Sequence, residues 1–68
     1  MLSGYRTLLA SSVGTRDGMA LELALADGTQ IAEVFEDSTT GDRTVHLFVD
    51  RVPAEAIEWM LAEARARL

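Results

Sequence analysis

The sequence predicts an α+β fold, in which a four-stranded antiparallel β-meander has one C-terminal α-helix packed on one face. Three observations predict it: an Asp27-Gly28 turn between two apolar segments, a β-branched and aromatic segment at 44–49, and an amphipathic segment at 53–68. The 68-residue chain is long enough for a single domain spanning 1–68 and for no second one.

The segment at 53–68 has the strongest helix signals in the chain. Pro53 suits the first helical turn, where the missing N–H is not needed. Glutamates stand near the start and arginines near the end, which matches the helix dipole. One apolar stripe faces the sheet, formed by Ile57, Met60, Leu61, Ala64 and Leu68. Trp59 lies beside this stripe and is expected at the margin of the core.

The Asp27-Gly28 pair predicts a β-hairpin between 19–25 and 30–36, with a two-residue type I′ loop. Leucine and alanine favour helices, but the alternation of leucines along 19–25 is that of a strand with one buried face. A three-residue loop would instead bury Glu33 among the leucines, which is costly. The two-residue loop sets four pairs opposite one another: Leu21 and Val34, Glu22 and Glu33, Leu23 and Ala32, and Ala24 and Ile31.

The segment at 3–13 fits two structures. Tyr5, Leu8 and Leu9 have helical spacing, with Gly14 available as a C-cap, and this alternative gives an αβββα order. The odd-numbered positions from Tyr5 to Val13 equally form one face of a strand, which residues 14–18 would link to the next strand. We favour the strand, because a fourth strand makes the sheet more stable.

The pattern of the fourth strand predicts an apolar patch on the face opposite the helix. If Val45, Leu47 and Val49 join the helix-covered face, the residues between them lie on the other side. A single helix does not cover both faces of a sheet, so this second face is a candidate interaction surface. Its predicted members are Ile31, Phe35, His46 and Phe48, together with Glu22 and Glu33. The alternative is that the N-terminal segment folds over this face, or that the exposed apolar groups have no role.

The side chains best suited to catalysis or metal binding are those of Glu22, Glu33 and His46. Two carboxylates at cross-strand distance suit acid/base chemistry, and with His46 they form a possible divalent-metal set. One histidine without cysteine does not make a typical zinc site. Side chains splayed into solvent, or paired with Arg6 or Arg43, explain the same pattern, so we expect no catalytic residue, metal or cofactor.

The composition excludes several classes of function. Six arginines and no lysine against eleven carboxylates give a net charge of −5, which argues against nucleic-acid binding. No stretch of 18 apolar residues is present, and the first residues lack signal-peptide features, so a cytoplasmic protein is expected. The absence of cysteine excludes disulfides and thiolate metal sites.

We therefore expect a non-catalytic interaction module that self-associates as a homodimer, because so small a core needs a partner. The alternative is a small acidic inhibitor, of the antitoxin or immunity type, whose carboxylates steer it to a basic protein. An enzyme using Glu22, Glu33 and His46 ranks last, since 68 residues leave little room for a pocket unless subunits share one, and we infer no small-molecule substrate.

Overall fold

A computed structural model describes residues 3–11 and 17–68 and contains one antiparallel sheet with one helix. The strands are β1 (Tyr5–Ser11), β2 (Gly18–Leu25), β3 (Gln30–Asp37) and β4 (Arg43–Leu47), and helix α1 (Ala54–Arg67) follows. Their order in the sheet is β1-β2-β3-β4, which confirms the predicted meander. Residues 5–11 form a strand, so the αβββα alternative is wrong. The positions predicted at Val13 and Gly14 lie outside the described residues.

Helix α1 packs on the sheet through a line of small or flexible side chains. Its buried residues are Ala56, Met60 and Ala64, which are spaced four apart and therefore share one side of the helix. Two of the three are alanines, so the helix backbone comes close to the sheet. The prediction placed Ala64 and Met60 in the stripe but missed Ala56. The remaining members of the predicted stripe (Ile57, Leu61 and Leu68) and Trp59 are partly buried and pack against the core, as expected.

The helix covers three of the four strands. It lies against β1, β2 and β3, and no Cα atom of the helix comes within 8 Å of a Cα atom in β4. Val45 and Leu47 are on the helix side of the sheet, opposite Val34 and Ala32, but they remain exposed. The prediction that the helix covers them is wrong, and Val49 lies beyond the end of β4.

The β2–β3 hairpin has a different loop from the predicted one. A type I′ turn needs a positive φ at both Asp27 and Gly28, whereas only Gly28 has one, at +96°. The N–H of Leu25 donates to the Thr29 carbonyl at 2.8 Å, so the loop holds the three residues 26–28. The carboxylate of Asp27 accepts a 2.9 Å hydrogen bond from the Thr29 N–H, which closes the turn with the side chain.

A β-bulge next to the loop restores the predicted register. Leu23 pairs with Ala32 but Ala24 pairs with Gln30, so Ile31 is an extra residue on β3. From that point the three predicted pairs at Leu21, Glu22 and Leu23 are confirmed, whereas the pair of Ala24 with Ile31 is wrong. The longer loop and the bulge each shift the pairing by one residue, and the shifts cancel.

The positive φ of Gly28 leads to a prediction about stability. A Cβ at this position would meet only an Arg6 guanidinium nitrogen, at 3.7 Å, so the cost of a side chain lies in the backbone conformation. We expect Gly28→Ala to lower the free energy of unfolding by about 1–2 kcal/mol in urea titrations. Gly28→Asn is the matched control, and it should lose less because asparagine tolerates this conformation. Equal losses for both variants would contradict this account of the turn.

The hydrogen bonds to the Asp27 carboxylate lead to a prediction about how stability depends on pH. Hydrogen bonds from the backbone N–H and then the hydroxyl of Thr29 hold the pKa of Asp27 below its ordinary value of 3.8. A lowered pKa in the folded state stabilises the fold above the ordinary pKa, and this contribution disappears as the pH falls through the lowered one. Unfolding experiments should therefore show that Asp27→Ala is most destabilising at neutral pH and less so well below 3.8. Asp50→Ala removes the same charge outside this turn and is the control; a pH-independent loss at Asp27 would contradict the argument.

Candidate interaction surface at the β4 edge

The carboxylates and the histidine singled out from the sequence form one row across the sheet. Glu22 pairs with Glu33, and Glu33 pairs with His46, on the face away from the helix (the second face). Glu33 is buried, with only 6% of its surface exposed. The Gln30 side-chain amide donates a 2.6 Å hydrogen bond to Glu22. Among the described residues, no buried side-chain oxygen or nitrogen lacks a hydrogen-bond partner.

The described part of the chain offers little that resembles an enclosed site. Residues 3–11 and 17–68 contain no group of three histidine, cysteine or carboxylate side chains placed to hold a metal ion. The same residues form no detectable pocket. None of the described helical structure is both long and apolar enough to cross a membrane. Arg43, one of the two arginines predicted as alternative partners of Glu22 and Glu33, instead forms an ion pair with Glu36 at 2.9 Å.

Two members of the predicted patch have packing roles. Ile31 is 6% exposed and belongs to the same buried cluster as Ala56 and Met60. It is the extra residue of the β-bulge, so its side chain packs on the helix side of the sheet instead of the second face. Its predicted place in the exposed patch is therefore wrong. Phe35 is half-buried, and a Cβ added at Gly18 would come within 2.8 Å of its ring carbon Cζ. The phenyl ring thus lies over the glycine and fills the space that a side chain would need.

The exposed apolar residues concentrate at the fourth strand. We call residues 43–49, which are β4 with Phe48 and Val49, the β4 edge. Of the six exposed large hydrophobic residues among those described, four lie here: Val45 (43% exposed), Leu47 (51%), Phe48 (51%) and Val49 (39%). His46 is exposed as well. The sequence prediction included Phe48 and His46 but missed Val45 and Leu47, because it assigned them to the helix-covered core.

The backbone of β4 is open on its outer side. The N–H of Asp37 donates to the Asp42 carbonyl, and the N–H of Phe48 donates to the Ile31 carbonyl. Because hydrogen-bonded pairs alternate along an antiparallel ladder, the even-numbered residues of β4 bond to β3. The N–H and C=O groups of Arg43, Val45 and Leu47 therefore point away from β3. β4 is an edge strand of the described sheet, and such edges are templates for another strand.

Charge also distinguishes the β4 edge from most of the molecule. The chain has a net charge of −5, but residues 43–49 contain no carboxylate. The one charged side chain there, Arg43, is already paired with Glu36. A second negatively charged molecule therefore meets less repulsion here than at β2, β3 or the helix.

The opposite edge of the sheet, β1, is partly obstructed. It also lacks carboxylates and exposes Leu8 and Leu9. However, the hydroxyl of Thr7 donates to Glu63 at 3.4 Å, and Arg67 donates to the same hydroxyl at 3.2 Å. Two long side chains from the end of α1 are thus held over the helix side of β1, whereas α1 does not reach β4.

Comparison with known proteins found no matching family model, no similar curated protein and no similar solved structure. The functional argument therefore depends on the geometry of this chain.

The contact between Phe35 and Gly18 gives a prediction. A Cβ at Gly18 would overlap the Glu36 carbonyl oxygen as well as crowd the Phe35 ring, and the carbonyl belongs to the sheet backbone. We expect Gly18→Ala to lower the free energy of unfolding by about 1–3 kcal/mol or more in denaturant titrations. Phe35→Ala combined with Gly18→Ala should not restore stability, because the carbonyl clash remains. A stable Gly18→Ala variant would contradict the close approach of β2 and β3 at this point.

Proposed function

We propose that this chain is a non-catalytic protein-interaction module that self-associates as a homodimer through the β4 edge. The observation that carries the proposal is the coincidence of four exposed apolar side chains with an open backbone edge at residues 43–49. Edge strands of monomeric proteins are usually short, charged or covered, because an open apolar edge invites pairing. The β4 edge is short, but no other element of the described residues covers it, and it carries no charge beyond the paired Arg43.

A second copy of the chain is the occupant that fits the charge and the chemistry. The copies approach through residues 43–49, which carry no carboxylate. Each copy presents unpaired backbone donors and acceptors beside an apolar strip, and the same groups of a second copy can pair with them. Specific interfaces bury about 800 Å² on each partner, so the backbone of a five-residue strand is insufficient without its side chains. Val45, Leu47, Phe48 and Val49 supply that additional apolar area.

The size of the core supports the same proposal. Among residues 3–11 and 17–68, only four side chains larger than alanine are less than 2% exposed: Leu21, Leu23, Val34 and Met60. Domains with so few buried residues are commonly stabilised by oligomerisation, and this chain has no cysteine for a disulfide. Burial of the β4 edge extends the apolar core beyond one molecule. The proposal places the module in the cytoplasm, where a cysteine-free chain is unaffected by thiol redox state.

The small acidic inhibitor is the second candidate function. Asp42 and Asp50 stand directly before and after the β4 edge and are exposed, so the same apolar strip has acidic ends. A partner with basic groups spaced to meet both ends would be attracted by these carboxylates. Such a protein would be monomeric alone, and its association rate would fall steeply with salt.

A charge introduced into the β4 edge tests the proposal. We expect Leu47→Glu to weaken dimerisation at least about a hundredfold, because it sets an unpaired carboxylate into the apolar interface twice. Leu8→Glu is the matched control: Leu8 is 57% exposed, but it lies on β1 at the other edge. Light scattering across a wide concentration range should give twice the 7.4 kDa mass for the original chain and for Leu8→Glu, but the single mass for Leu47→Glu.

The outcomes separate the two candidates. A chain that stays monomeric at every concentration overturns self-association and favours the inhibitor. A dimer that Leu47→Glu leaves intact but Leu8→Glu disrupts moves the interface to β1. Circular dichroism of both variants verifies that the change in mass does not come from unfolding, which we do not expect because both side chains are exposed.

A further inference from the structure

We infer that the two copies join their β4 strands antiparallel to each other, about a two-fold axis at His46, so that the sheets form one eight-stranded sheet. This inference rests on the proposed self-association and specifies its geometry. A two-fold axis makes the same surface meet itself, and an antiparallel pair of identical strands has this symmetry. The remaining question is which residue lies on the axis.

The backbone restricts the choice. The outward N–H and C=O groups belong to Arg43, Val45 and Leu47, so these residues must form the hydrogen-bonded pairs of the new ladder. With the axis at His46, Val45 of each copy exchanges two hydrogen bonds with Leu47 of the other. His46 then faces His46 of the second copy in a non-hydrogen-bonded pair, which is the pair type with the closest side chains.

Side-chain matching on the helix side selects His46 over Val45. An axis at Leu47 would leave only Leu47 of each β4 paired with a residue of the other β4. With the axis at His46, each exposed Val45 meets an exposed Leu47, so apolar surface covers apolar surface twice. An axis at Val45 would add hydrogen bonds at the ends of the ladder, but it would set each Leu47 against Arg43. That guanidinium is already bonded to Glu36 at 2.9 Å, and covering the ion pair with leucine removes water without providing a new partner. With the axis at His46, the residue opposite Arg43 is Val49, which lies beyond the end of β4, so the ion pair is left at the margin of the ladder.

On the second face, the pairing of Phe48 also favours the axis at His46. Phe48 continues the alternation of β4, because its N–H bonds to β3, and its side chain therefore belongs to the face of Thr44 and His46. With the axis at His46, each Phe48 lies opposite Thr44 of the other copy, which is a favourable aromatic and β-branched pair. With the axis at Val45, the same phenylalanine lies opposite the Asp42 carboxylate. With the axis at His46, Asp42 instead faces Asp50 of the other copy, one residue beyond each end of the β4 edge, and these two exposed like-charge pairs act against the dimer.

The arrangement keeps both helices on one side of the joined sheet. The axis runs perpendicular to the sheet, so each copy contributes its helix to the same face. The four residues Val45 and Leu47 of the two copies form an apolar strip between the helices, along the line that α1 leaves uncovered in one copy.

Single cysteines test the position of the axis, because the chain has none of its own. In a non-hydrogen-bonded antiparallel pair the Cα atoms are about 4.5 Å apart, within the range that a disulfide spans. We expect His46→Cys to form a covalent dimer under mild oxidation, at a rate at least about tenfold above Leu8→Cys on the other edge. Thr44→Cys and Val45→Cys, measured in parallel by non-reducing electrophoresis, should cross-link more slowly than His46→Cys.

The readings distinguish failure of this geometry from failure of self-association. Light scattering on each reduced variant first establishes whether it is a dimer. If His46→Cys is dimeric but cross-links no faster than Leu8→Cys, the pairing at His46 is overturned while self-association stands. Fastest cross-linking at Val45→Cys or Thr44→Cys also overturns the axis at His46. If every reduced variant and the original chain are monomers, the proposed function itself is overturned.

Discussion

The width of one helix compared with that of four strands is the constraint on which the rest of this structure depends. An α-helix with its side chains is about 10–12 Å across, while neighbouring strands lie about 4.8 Å apart, so four strands exceed its width. Helix α1 lies against β1, β2 and β3, and the alanines at 56 and 64 let it approach closely. β4 remains outside this layer, and its helix-side valine and leucine are exposed as a direct consequence.

The order and type of the elements were predictable, because each had a local signal: alternation for the strands, charge order and Pro53 for the helix. The hairpin loop was not, because an Asp-Gly pair serves both a type I′ turn and a three-residue loop with one left-handed glycine. Most of the predicted β2–β3 register is correct, although the two-residue loop from which it was predicted is not present. The bulge at Ile31 compensates for the longer loop, and a sequence pattern of period two does not reveal two opposite shifts that cancel.

The candidate site likewise combines features that the sequence predicts with features that depend on tertiary packing. The pair of Glu22 and Glu33 was predicted from the hairpin register and is present. His46 was predicted on the same face of the next strand, and it lies there, paired with Glu33. The burial of Ile31 depends on the bulge, and the packing of Phe35 on Gly18 depends on a close approach of two strands, neither of which is a local property. Val45 and Leu47 were missed because alternation tells which side a residue faces, not whether anything covers it. Comparing the width of one helix with that of four strands would have predicted that β4 is left uncovered.

The hydrogen bonds of Thr7 with Glu63 and Arg67 bear on the number of other copies that one chain can join through its sheet edges. A sheet protein with two equivalent free edges is bivalent, and its copies add one after another into filaments without a natural end. The side chains that α1 holds over β1 make the two edges of this sheet unequal. Under the proposed self-association through the β4 edge, the partial obstruction of β1 by the last turn of the helix would disfavour open-ended growth and let assembly close at two copies.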